Sequence, residues 1–293
     1  MIKLGMVGKV LIHNYPYGAW FNGADDDVLE ERCTKRWMLE LIRGRFPEPA
    51  SSRARITHVW AGERVEAEAI AASCRIGNVC DSAEEVIAAV DGVLVLDEDI
   101  EHRTRLVRQS LQAGRGVYVD KIPSLDPAEA RELVELAQAK GVPRAAWSQL
   151  LMAREAAPFR ELQGGAGLVT FNLAPDIVDK YGVHLVCAAF AAFGADPVHM
   201  AAVDTGETGA PTICLSYADG KDVILRAGTD VPPRGHVCHV SSKNGASAAA
   251  LMDMEAMFDA SAAALDEMFA TGQWPLPPEA IVGMTRAAAL LCG

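Results

Sequence analysis

The stretch Gly116–Gly141, GVYVDKIPSLDPAEARELVELAQAKG, decides the fold. It opens as an apolar strand over Val117–Val119 and closes as a helix. Asp126 is a strong N-cap residue, Pro127 suits the first helical position, and Glu129 completes a capping box. Ala130, Leu133, Val134 and Ala137 recur at helical spacing, and Gly141 ends the run. Where the strand should stop stand Asp120 and Lys121. That pair is either a solvated strand end or an amine held rigidly over a cleft by the run Tyr118–Pro123.

Outward from this unit, the first half repeats strand and helix. Ile2–Val10 reads as a strand, Asp25–Arg43 as a helix with Leu29, Cys33, Trp37 and Leu41 on one face, Ile56–Ala61 as a strand and Glu63–Ser73 as a helix. Ser82–Val90 is helical behind the Asp81-Ser82 cap. GVLVLD (Gly92–Asp97) is a nearly all-apolar strand, Glu101–Ala113 a helix, and Ala145–Leu150 a further strand. All-apolar strands are covered on both faces, as in parallel sheets, and such units imply right-handed crossovers. The first crossover, 13–55, is long; it is an insertion or an extended connection, since a whole βαβ unit takes about 30 residues.

The second half changes character. Leu168–Leu173, Val198–Val203, Thr212–Tyr217, Val223–Ala227 and Val237–Ser241 read as strands, with a hairpin turn at Ala218-Asp219-Gly220. Helices are expected at Tyr181–Phe193 and Ala248–Phe269. The expected class is α/β: residues 1–150 form a doubly wound parallel sheet, and residues 151–293 an α/β domain with an open, mainly antiparallel sheet.

Composition narrows the function. The 293 residues carry a net charge of −12 with no basic block, which argues against nucleic acid. No apolar run approaches the ~20 residues of a membrane span, and MIKLGMVGKVLIHNY reads as a strand rather than a signal peptide. A cytoplasmic protein is expected. The seven cysteines are scattered without a CxxC pair and read as reduced thiols.

Ligands of open parallel sheets bind outside the carboxyl ends of the strands. Gly8, Glu63, Asp97 and Asp120-Lys121 all fall there. Gly5-Met6-Val7-Gly8 is an incomplete version of the G-x-G-x-x-G phosphate loop, so it marks either a dinucleotide site or a plain βα turn. Glu63 is the candidate ribose acid or, equally, a helix N-terminal acid; Arg64 is a candidate partner for a 2′-phosphate. His184, in DKYGVHLVCAAFAAFG, is either a packed residue or an acid/base group beside Tyr181. The HVCH run at His236–His239 fits a strand, whose alternation splits its ligands between two faces, so no metal is expected.

Three segments resemble the Gfo/Idh/MocA oxidoreductases (glucose–fructose oxidoreductase, inositol dehydrogenase and relatives): IKLGMVG; the run from DSAEEVIAAVDGVLVL through VYVDKIPSLDPAEARELVELAQAKG; and YGVHLV. The resemblance implies a Rossmann domain binding NAD or NADP, followed by a substrate domain, and sugars, cyclitols or related polyols as substrates. By that likeness Lys121 and His184, with Tyr181, are the catalytic candidates. Gly5, Val7, Gly8, Lys9, Glu63, Asp97, Asp120 and Lys121 are the cofactor candidates. The chain departs from the family where Lys-Pro becomes Lys121-Ile122 and where Cys187 follows the histidine in place of a carboxylate. His13, Tyr17 and Trp20, with Tyr15 and Asn22, either line the substrate cleft or form a dimer surface.

The expected partner is a small polar molecule, with no nucleic acid or membrane, and a homodimer or homotetramer formed through the C-terminal sheet. Two rivals to a dehydrogenase stay open. One is a family member without net redox turnover, doing acid/base elimination, cyclisation or isomerisation; the other is a ligand-binding protein without catalysis.

Overall fold

The computed structural model describes all residues except Val10, Thr34, Lys35, 161–163, 172–177, 206–209, 229–235, 243, 244, Met252 and Gly293. Two compact units emerge. The first comprises Met1–Ser124, Arg131–Ala146 and Phe258–Leu276; the second comprises Leu125–Ala130, Trp147–Met257 and Pro277–Gly293.

The first sheet contains β1 (Ile2–Val7), β2 (Ala54–Trp60), β3 (Asn78–Val79), β4 (Gly92–Val95), β5 (Gly116–Asp120) and β6 (Arg144–Trp147), in the order β3-β2-β1-β4-β5-β6. The registered pairs are parallel, with Val7 opposite both Trp60 and Val95. Every residue of β4 and β5 is buried, which is why both read as unbroken apolar runs. Strand order reverses at β1. That makes the β1/β4 edge the switch point where a crevice opens beyond the strand ends.

Helices α1 (Leu11–Asn22), α2 (Asp26–Arg32) and α3 (Arg36–Ile42) fill the long first crossover; α4 (Arg64–Ser73), α5 (Ala83–Ala89), α6 (Ile100–Gln112) and α7 (Pro127–Lys140) serve the later ones. The caps read from sequence are in place: Ser82 accepts from Glu85 N at 3.2 Å, and Asp126 accepts from Ala128 N at 2.8 Å.

The crossover corrects two expectations and adds an element that the sequence alone left unassigned. It holds a helix, α1, over HNYPYGAWFN, despite Pro16 inside it. Asp25–Arg43 is two helices, because Cys33 is extended (φ −76°, ψ 106°). That break shifts the helical phase, so Met38, Leu39, Leu41 and Ile42 turn inward while Trp37 is 48% exposed. His13, Tyr15, Tyr17 and Asn22 are buried, which removes them as a dimer surface.

The second sheet contains β7 (Gly165–Phe171), β8 (His199–Ala202), β9 (Thr212–Ser216), β10 (Lys221–Ala227), β11 (His236–Ser242) and β12 (Gly245–Leu251), in the order β12-β11-β7-β10-β9-β8. Its pairs are antiparallel except β7 with β10. Burial alternates along β10, the signature of a sheet covered on one face. The remaining helices are α8 (Ala157–Arg160), α9 (Val178–Phe193), α10 (Met254–Thr271) and α11 (Pro278–Cys292). The alanine-rich 245–251 segment, half of it expected to be helical, is β12. Its backbone completes a hairpin with β11, and pairing outweighs alanine's helix preference. The helix waits for Asp253, whose Oδ1 accepts from Ala256 N at 3.1 Å.

From Phe258 onward α10 groups with the first unit. A Cβ on Gly92 would lie 2.4 Å from the Phe269 ring, so β4 begins with glycine to admit that ring. Gly92→Ala is expected to cost about 1–3 kcal/mol, as overpacking of a tight core does, read as a lower midpoint in denaturant. A midpoint equal to wild type would show that the ring moves aside freely.

Candidate active site

Gly8 ends β1. Its φ is +120°, and a Cβ there would lie 2.2 Å from the Leu96 carbonyl oxygen. Its N–H donates to Trp60 O at 3.2 Å, and Leu96 N donates to Val7 O at 2.8 Å. The turn is therefore pinned from both sides, and only glycine meets the conformation and the space together. Gly5 has a different part. It lies inside β1, and the space its side chain would need is filled by Val86 of α5, at 2.3 Å. Gly5 is thus a packing residue, and Val7 beside it is fully buried.

At the end of β2, Glu63 is the exposed N-cap residue of α4 and makes no side-chain cap bond. Lys9 is exposed, and its alkyl arm crosses Gly62, where a Cβ would lie 2.8 Å from Lys9 Cε. Arg64 is ion-paired with Glu68 and Asp81. Glu63 and Lys9 are thus an acid and a cation on neighbouring strand ends.

At the end of β4, Asp97 is buried and doubly engaged. Its Oδ1 accepts from Asp99 N at 2.9 Å, and its Oδ2 is 2.8 Å from His102 Nδ1. Buried Arg103 donates to Asp97 O at 2.8 Å; burial lowers its guanidinium to about 10, opposed by the charges of Asp120 and Asp97. The His102 ring meets Trp60 edge-on, centroids 5.7 Å apart. Because β1 lies between β2 and β4, this contact passes over the end of β1, above the Gly8 turn.

At the end of β5, buried Asp120 holds His13 Nδ1 at 2.6 Å through Oδ2. Lys121 follows with φ +80°, a left-handed conformation that a side chain disfavours, and is only 3% exposed. The next residues are anchored: Ile122 is buried, and Pro123 O accepts from the α6 hydroxyl of Thr104 at 2.6 Å. Behind the corner a hydroxyl chain runs from Tyr118 to Tyr17 at 2.9 Å, and from Tyr17 to Ser261 at 2.8 Å.

In the second unit, His184 Nδ1 is 2.6 Å from the Ser148 hydroxyl, and its ring stacks on Tyr181 at 5.7 Å and 24°. Ser148 N donates to Cys187 Sγ at 3.4 Å, so Cys187 steadies the serine. Because α9 begins at Val178, His184 lies in its second turn. This corrects the expected first-turn position and takes His184 beyond the reach of the helix N-terminal dipole.

Sequence reasoning missed Ser148, the residue just after β6, and the His102–Asp97 pair. Position at a strand end was the available signal for both. Trp20 is half-buried, edge-on to Phe21 at 4.9 Å. Tyr17 is fully buried with its hydroxyl engaged, and His13 faces Asp120. No group of three or more metal-ligating side chains occurs among the described residues. The side chains of His236–His239 lie outside them.

The switch-point edge fits a dinucleotide in its essentials. The Gly8 turn leads directly into the N-terminus of a twelve-residue helix, Lys9 can meet a phosphate, and Glu63 can meet a ribose. It departs from the fingerprint at the second and third glycine positions, which counting from Gly8 are Val10 and His13. Close approach of the crossover helix instead falls at Gly18, where a Cβ would lie 2.8 Å from Cys74.

A parallel sheet of this order, with a glycine turn at its switch point, defines a nucleotide-binding Rossmann domain. Residues 45–146 match the Gfo/Idh/MocA family model, described as "Oxidoreductase family, NAD-binding Rossmann fold". The likeness to these oxidoreductases read from the sequence is thus found independently. The match begins after β1 and α1, the segment where the fingerprint departs. No curated protein sequence matches the chain.

Solved structures share the fold along nearly the whole chain. The dehydrogenase MviM from Clostridium difficile is 14% identical, with a TM-score of 0.68, covering 98% of this chain and 97% of that one. UDP-N-acetylglucosamine 3-dehydrogenase GnnA from Acidithiobacillus ferrooxidans is 16% identical, with a TM-score of 0.66 and 98% and 95% covered. Biliverdin reductase from Synechocystis, solved with biliverdin and NADP+, is 14% identical, with a TM-score of 0.65 and 99% and 98% covered. Among the described residues no helix is long and apolar enough to cross a membrane.

The buried hydroxyl chain gives this edge a pH signature. The Tyr118 phenol is pushed well above its ordinary 10.0, by burial first and then by Tyr17 and Asp120. A group whose folded pKa is raised adds stability below its unfolded pKa and loses it as pH climbs toward the folded value. Stability is therefore expected to fall as pH rises past 10.0, and less steeply in Tyr118→Phe. Denaturant midpoints across alkaline pH check this; equal slopes in the two proteins would contradict it.

Proposed function

We propose that the protein is an NAD(P)-dependent dehydrogenase or reductase acting on a small polar substrate such as a sugar, a cyclitol or a related biosynthetic intermediate. The observation that carries this reading is Lys121. It is a buried amine on a left-handed backbone, clamped on both sides, at the carboxyl end of β5 in a sheet whose sequence matches an NAD-binding oxidoreductase family. Bound NAD(P) would supply a hydride donor or acceptor. Gly8, Lys9 and the N-terminus of α1 are the proposed holders of the pyrophosphate, and Glu63 of the adenosine ribose.

Lys121 is assigned to hold a substrate hydroxyl and take or return its proton. An amine held at a fixed strand end suits that work. His184, with Tyr181 beside it, is assigned as the second proton-handling group. Its hydrogen bond to Ser148 fixes the orientation of the ring through Nδ1.

We read the protein as cytoplasmic and as a homodimer or homotetramer. Support for the oligomer comes from a row across the second sheet, where Leu168, Ile224 and Cys214 are in register and Leu168 is 37% exposed. A second reading rests on Val10 and His13. Bulk at two fingerprint positions also suits a family member that holds its cofactor without net turnover, or does acid/base chemistry without one.

Melting with NAD(H) and NADP(H) tests the cofactor. At about 100 times Kd a cofactor adds ~2.7 kcal/mol, a rise of several degrees. Lys121→Ala is expected to keep that rise and to lose ~10²–10⁴-fold in turnover once a substrate is in hand. No rise with either cofactor would sink the dehydrogenase reading.

A further inference from the structure

His13 stands where the phosphate-loop fingerprint has its third glycine, the residue that lets helix and strand pack closely. A histidine there is a cost unless its ring has somewhere to go. It reaches β5: Nδ1 lies 2.6 Å from Asp120 Oδ2, in a site where both side chains are buried and the Phe258 ring meets the imidazole edge-on at 5.4 Å. Four residues along the same helix, Tyr17 bonds the Tyr118 hydroxyl at 2.9 Å. One face of α1 therefore grips Asp120 and Tyr118 of β5, and Asp120 is the immediate neighbour of Lys121.

The backbone supplies the reason for such a grip. Lys121 adopts φ +80°, which persists only where its surroundings over-determine it. On the far side the corner is fixed by buried Ile122 and by Thr104 on Pro123 O. On the near side the fixed point is Asp120, and its Oδ2 carboxylate bond to another element runs to His13. Buried Arg103 on α6 feels the charge of that carboxylate, and Lys121 is next in the chain.

We propose that His13 is a positioning residue, which holds Asp120 and through it sets the orientation of the Lys121 amine. On this view the lost glycine has been exchanged for a clamp on the reactive corner, and His13 acts from behind the site instead of contacting substrate. The claim rests on the role given to Lys121 in the proposed function, but its test does not need cofactor or substrate.

Asn and Leu share a shape and differ in their polar atoms, so His13→Asn and His13→Leu separate a donor from a filler. The full-length variants, and Asp120→Leu, are pulse-labelled with an amine acylating reagent. Acylation at Lys121 is read by peptide mass spectrometry against the exposed Lys140 and Lys180 in the same sample. In wild type the Lys121 rate is expected to be low. His13→Leu and Asp120→Leu are expected to raise it about tenfold relative to the reference lysines, and His13→Asn to stay near wild type, because an amide can still donate to Asp120.

An unchanged rate in His13→Leu, or equal rises in His13→Leu and His13→Asn, would overturn the proposal. If one His13 variant fails to fold, Asp120→Leu decides from the other end of the bond, and a wild-type rate there overturns the proposal. A wild-type protein that binds no NAD(P)(H) would remove the dehydrogenase reading and leave the His13 result standing.

Discussion

The approach of Gly8 to the Leu96 carbonyl is the constraint on which the rest is built. A side chain at that position would overlap the β4 backbone, and the φ of +120° is itself one that glycine takes freely. Beyond β1 and Gly8 the chain enters α1 at Leu11. The strand ends of β2, β4 and β5 then open onto the same edge, because the sheet is parallel and its order reverses at β1. Glu63, Asp97, Asp120 and Lys121 are functional candidates because of where their strands stop.

That edge is unusually polar for a buried place, and its two buried carboxylates are paired. Asp97 holds His102 and Asp120 holds His13, each at hydrogen-bond distance. Arg103 lies within the field of both carboxylates, which offset part of the cost of burying it. Tyr118, Tyr17 and Ser261 extend the network to α10. Such a network is costly when half made and rigid when complete. Rigidity at a strand end is what an amine needs if it is to meet one atom of a small molecule.

Much of the scaffold was legible in the sequence, and the failures have local causes. The apolar runs at β4 and β5 and the caps at Ser82 and Asp126 announced themselves, because burial on both faces and capping leave residue-type signatures. Helix α1 did not, since Pro16 lies inside it and the stretch reads only as an insertion or an extended connection. Strand β12 hid in an alanine run whose pairing with β11 is a tertiary fact. At the site, Lys121 stood out through its place after a strand. Ser148 carried no motif, and His13 acquires a role only through a partner 107 residues away. Trp37 was misplaced because one extended residue, Cys33, resets the helical phase.

A crystal structure of the protein grown with saturating NAD(P)H bears most directly on the central claim, that the amine after β5 serves chemistry at a nicotinamide. The account predicts phosphate oxygens against the backbone N–H groups that follow Gly8, and the Lys121 Nζ within hydrogen-bonding reach of a substrate atom placed against the nicotinamide ring. A nucleotide bound elsewhere, or an Nζ turned away from the ring into a closed ion pair of its own, would contradict it.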